Sequence, residues 1–107
     1  MTEELQDIRS KFRRACGSLG GILDFNTETR MLECKTDNFI LSIDENDVVY
    51  IEPKNMKLDF FDILPRDIKI GKEIICLKGD NAEVIIDRNR IWLSSYSTFN
   101  PKLQFIR

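Results

Sequence analysis

The stretch SIDENDVVYI (residues 42–51) has a counterpart in IIDRNRIWLS (residues 85–94). Both contain Ile-Asp-x-Asn followed by apolar residues. The open positions are acidic in the first copy and arginine in the second. Asp and Asn between apolar runs are turn chemistry, because Asx side chains hydrogen-bond the backbone just ahead of them and tolerate left-handed conformations. Each stretch therefore predicts a hairpin turn, and the two together predict a repeated unit.

A constant offset of 43 residues sets 31–50 against 74–93, with six identities in 20 positions: Lys35/Lys78, Asp37/Asp80, Asn38/Asn81, Ile43/Ile86, Asp44/Asp87 and Asn46/Asn89. Four of the six identities fall at two Asx turns per copy, where the backbone must bend, and the flanks stay largely apolar. Short runs rich in Val, Ile, Leu and aromatics recur at 22–25, 31–34, 39–43, 48–51, 68–70, 74–77, 84–86 and 91–93. Such runs, separated by turn residues, predict about seven or eight antiparallel strands.

Ahead of them the period is helical. Thr2 can cap, Glu3 and Glu4 suit the first turn, and Leu5, Ile8, Phe12 and Ala15 or Cys16 recur on one face before Gly17. The expected fold is α+β and mostly β: an amphipathic N-terminal helix, then two similar antiparallel meanders forming a small sandwich or barrel. One domain spans 1–107, with the helix at 2–16, the first meander at 22–52, a linker at 53–66 and the second meander at 67–106.

Composition narrows the chemistry. With 107 residues, 42% of them hydrophobic, one modest core is expected. The net charge of −2 marks no partner. No apolar stretch reaches the roughly 20 residues of a membrane span, and the N-terminal residues lack the apolar region of a signal peptide. There is no histidine, which removes Ser-His and Cys-His nucleophile pairs, histidine acid–base catalysis and mixed Cys/His zinc sites. Cys16, Cys34 and Cys76 are odd in number, widely spaced and without a CxxC, so they read as reduced thiols of a cytosolic protein. No cofactor, metal site or enzymatic activity is expected.

The candidate surfaces are therefore surfaces for binding. CGSLGG (residues 16–21) has glycines, but they close a helix instead of opening one, so they read as a helix end and not as a phosphate loop. The acidic DEND (residues 44–47) lacks the ligand count of a calcium loop. MKLDFFDILP (residues 56–65) is too apolar for a plain linker. If it is a short helix, Leu58, Phe61 and Leu64 line one side, Phe60 and Ile63 the other flank, and Asp59 and Asp62 share a face. Buried, it plugs the sheets; exposed, Phe60 or Phe61 anchors a partner. The basic side of the first helix, with Arg13 and Arg14, is a further docking surface.

The alternative is nucleic acid. Arg88, Arg90, Trp92, Tyr96 and Lys102 interleave cations with aromatics, as single-strand binders do. Residues 63–107 carry a net charge of only +3, against −6 over 24–62, which is thin for such a surface. Trp92 as a core or inter-sheet side chain is the competing reading. Three functions follow in order: a non-catalytic protein-interaction module of the cytoplasm (adaptor, regulator, inhibitor or chaperone-like subunit), with self-association through edge strands or turns of opposite charge also open; a small β domain for RNA or single-stranded DNA; and a sensor for a small ligand held between the meanders.

Overall fold

The computed structural model describes residues 7–95 and, as a backbone strand only, residues 103–106. One helix, α1 (Ile8–Ser18), precedes ten strands. The first five are β1 (Ile22–Asn26), β2 (Met31–Lys35), β3 (Phe39–Ile43), β4 (Val49–Pro53) and β5 (Phe61–Ile63). The second five are β6 (Asp67–Gly71), β7 (Ile74–Lys78), β8 (Ala82–Asp87), β9 (Ile91–Ser95) and β10 (Leu103–Ile106). Each set forms one antiparallel meander, ordered β1-β2-β3-β4-β5 and β10-β9-β8-β7-β6. Their inner faces and α1 share one core, in a sandwich-like arrangement.

The two sheets bury their residues on the same pattern. In the β2–β3 hairpin Leu32 lies opposite Ile43, and in the β7–β8 hairpin Ile75 lies opposite Ile86. These pairs are equivalent at the 43-residue offset, so the hairpins have the same register. Inward positions then correspond: Leu32 and Ile75, Cys34 and Leu77, Leu41 and Val84, Ile43 and Ile86, all buried. The next turns differ in length. Residues 44–48 join the Ile43–Val49 pair, whereas 87–90, one residue fewer, join Ile86 to Ile91.

These turns are built as Asx chemistry requires. Asp44 Oδ1 accepts from the amides of Asn46 at 2.8 Å and Val48 at 3.0 Å, and Asp87 Oδ1 from those of Asn89 at 2.8 Å and Arg90 at 2.7 Å. Asp47 completes the longer turn with a φ of 69°. The preceding turns work differently. Thr36 Oγ1, and not Asp37, accepts from the amides of Asn38 and Phe39, while Asp80 is turned to the Arg66 guanidinium at 2.8 Å. At those turns the shared Asp-Asn pair does not shape the backbone through Asp.

The helix lies where expected with shifted ends. Its cap is Asp7, whose carboxylate accepts from the Ser10 amide; Thr2, Glu3, Glu4 and Leu5, expected in the first turn, lie outside the described residues. It runs through Gly17 and stops at Leu19, followed by Gly20 at a φ of 72°. Phe12, Ala15, Cys16 and Leu19 are buried on one face. The helix end is stitched to the β6–β7 turn: Ser18 Oγ donates to the Gly71 carbonyl and accepts from the Glu73 amide.

Two expectations are corrected. Cys16 and Cys34 are not thiols but a disulfide, with Cα atoms 5.7 Å apart. The chain reverses over 19–21, laying the last turn of α1 against β2, and a Cβ on Gly21 would fall 2.5 Å from Cys34 Sγ and 2.9 Å from Cys16 Sγ. Contact made by folding, not spacing in sequence, pairs these cysteines. The second correction concerns 56–65, which holds no helix: it bends at 56–57 and supplies β5 at Phe61–Ile63. Strand alternation replaces the helical face: Phe61 and Ile63 turn inward and Asp62 outward, with Phe60 and Leu64 exposed.

Candidate functional site

Strand register converts the outer face of the first sheet into a map. Asp24, Glu33, Ser42, Tyr50 and Asp62 lie opposite one another across β1 to β5. Ile22, Lys35, Ile40 and Glu52 form the next row. The face is acidic, and its one lysine is spread over two carboxylates, 3.7 Å from Asp24 and 3.7 Å from Glu33.

At the β5 edge the polar row meets an aromatic pair. Phe60 is 59% exposed and stacks on Tyr50, with centroids 6.0 Å apart and planes 16° from parallel. Tyr50 is itself fixed, since its hydroxyl donates to Asp44 Oδ2 at 2.9 Å. That bond raises the tyrosine pKa, with burial adding to it. On Asp44, burial pushes the carboxyl pKa up, but the Tyr50 hydroxyl, the amides of Val48 and Asn46 and the nearby Arg9 outweigh it and leave the pKa lowered. Arg9 also donates to the Asp44 carbonyl at 2.8 Å. One turn carboxylate thus holds its own loop and the ring beneath Phe60.

The residues singled out from the sequence divide. Phe60, Asp59 and Asp62 are exposed around the aromatic pair, while Phe61 packs against the core. So the segment both plugs and presents, through different phenylalanines. Arg13 and Arg14 are exposed on α1, which packs on β1, β6 and β7, and they are not part of this cluster. Lys11 of the same helix is bonded to Asp67, whose pKa is lowered chiefly by that bond. Tyr50 and Asp44 were missed as site residues. The available signal was parity, since Tyr50 falls between inward Val49 and Ile51.

Of the basic-aromatic residues, the described ones, Arg88, Arg90 and Trp92, divide between two places. Ile91 is buried inward and Trp92 lies on the outer face of the second sheet, half-buried, neither core nor between the sheets. The Arg90 guanidinium sits 5.0 Å over the Trp92 ring, so one ring face is already covered by a cation. Arg88 instead lines a cleft of about 510 Å³ with Gly20, Ile22, Lys35, Asp37 and Glu73. Its mixed charges favour no one ligand class. Tyr96 and Lys102 lie outside the described residues.

Among the described residues no group of three or more Cys, Asp or Glu side chains is placed to hold a metal ion. No helix among them is long and apolar enough to cross a membrane. The chain matches no protein family, no curated protein and no solved structure at a significant level.

Proposed function

We propose that this protein is a non-catalytic interaction module that docks a partner protein on the outer face of its first sheet. The observation carrying this reading is Phe60, a large apolar ring left 59% exposed and stacked on Tyr50. An exposed aromatic braced against a second ring has less freedom to lose on binding than one standing alone, which suits an interface anchor. Asp59, Asp62 and Glu52, all exposed, give it a charged rim. The lack of histidine and of an acid–base pair weighs against catalysis.

We read the two meanders as copies of one unit whose inner faces both stayed apolar while their outer faces took on different chemistry. On the second sheet the row equivalent to Asp24, Glu33, Ser42 and Tyr50 is Lys69, Cys76, Ile85 and Trp92. The inward positions stay apolar in both copies while the outer rows differ in charge and aromaticity, as separate binding roles on a common core would leave.

The test is selection of binding peptides or domains from a display library on the intact protein, repeated on Phe60→Ser. Circular dichroism and thermal melting verify that the variant keeps its fold. Binders that lose at least about tenfold in affinity for the variant, as hot-spot aromatics do, are the expected result. Binders indifferent to residue 60 would remove the reading.

A further inference from the structure

We infer that the partner segment received at Phe60 is basic and carries an arginine whose guanidinium lies against the Tyr50–Phe60 pair. This rests on the docking reading above and names its partner.

The second sheet supplies a template within the same molecule. Tyr50 lies across from Ser42, and Trp92 across from Ile85, which is the same position at the 43-residue offset. There the preceding turn provides Arg90, whose guanidinium lies 5.0 Å over the Trp92 ring. The first-sheet turn is Asp44-Glu45-Asn46-Asp47, with acidic residues where the second has Arg88 and Arg90. Tyr50 therefore stands at the equivalent place without an arginine from its own turn, and Phe60 extends the ring surface outward.

The surrounding charge suits a cation. Asp59 and Asp62 flank Phe60 and Phe61 in sequence and are exposed, and Asp24, Glu33 and Glu52 continue a negative face on which Lys35 pairs with Asp24 and Glu33 and Arg9 lies beside Asp44. A guanidinium suits both halves of such a site, because its plane stacks on an aromatic ring while its edge pairs with carboxylates; an ammonium offers neither the plane nor the fork. β5 is the last strand of its sheet, so an extended segment can run along that edge and bring alternate side chains over Phe60.

The test is fluorescence anisotropy on the intact protein with a short labelled peptide alternating arginine and valine. Lysine and glutamate replace arginine in two further probes. Expected are binding of the arginine probe that weakens as salt rises, affinity about three- to tenfold lower for the lysine probe, and no binding of the glutamate probe. Phe60→Ser, and separately Asp59→Asn with Asp62→Asn, should each weaken the arginine probe about fivefold or more, while Phe60→Tyr retains it. Equal affinity for lysine and arginine probes, or binding unchanged in Phe60→Ser, would overturn the inference. Display-selected binders that need Phe60 but carry no arginine would overturn it and leave the docking reading standing. If no selected binder needs Phe60, both fall.

Discussion

Asp44 links a turn to a surface, and the linkage has a pH signature. Its folded-state pKa is lowered, as is that of Asp67 beside Lys11. The stability each contributes is thus complete above the ordinary carboxylate pKa of 3.8 and is lost as pH falls through the lower folded value. Melting temperature should fall between about pH 5 and pH 2, and Asp44→Asn with Asp67→Asn should flatten that fall. At neutral pH Asp44→Ala should cost about 1–2 kcal/mol by leaving turn amides and the Tyr50 hydroxyl without their acceptor, read from denaturant midpoints. Cys76 is the opposite case. Burial, helped by Glu83, pushes its thiol pKa up to about 11 from 9.0, so alkylation by iodoacetamide near pH 8 should run about 100-fold slower than for an exposed cysteine. An alkylation rate equal to that of the unfolded chain would contradict this. The Asp-x-Asn turns were legible because their hydrogen bonds are local. The Asp44–Tyr50 bond was not, since it depends on which strand face the ring occupies.

Among the elements, the junction between α1 and β2 carries the most specific geometry. The Cys16–Cys34 bond closes a sequence separation of 18 residues, for which loop-closure entropy gives about 3 kcal/mol. Gly21 lies against both sulfurs, so Gly21→Ala should destabilise by about 1–3 kcal/mol. In a Cys16→Ala/Cys34→Ala background that penalty should shrink to less than about 1 kcal/mol, a coupling measured as a double-mutant cycle. A penalty of the same size in both backgrounds would place its cause elsewhere. Disulfides of this kind persist in oxidising surroundings. Maleimide labelling of the denatured, unreduced protein should therefore count one thiol, that of Cys76, and three after reduction. An odd cysteine count without a CxxC pointed to thiols, because pairing depends on the chain reversal at 19–21, which no local pattern encodes. For 56–65, apolar residues spaced to suit a helix served equally well as a strand, and pairing with β4 decided between them.

Over the whole molecule, two meanders and α1 close on one apolar core, and the sheets differ most in the chemistry of their outer faces. The alternation of apolar residues was enough to foresee two meanders, because an inward face must be apolar in any packing. The strand count of seven or eight fell short by β5, hidden in a segment read as helix, and by β10. What alternation does not report is the use of the outer faces, and there the sheets part: acidic with an exposed aromatic on one, Lys69, Cys76, Ile85 and an arginine-covered Trp92 on the other. That the Phe60 face receives a partner is tested most directly by titrating nitrogen-15-labelled protein with the arginine–valine peptide and mapping backbone amide shifts. The expected perturbations concentrate at Tyr50, Asp59, Phe60 and Asp62 and extend to Glu33. Perturbations confined to Arg88–Trp92, or no saturable change at residues 59–62, would contradict it.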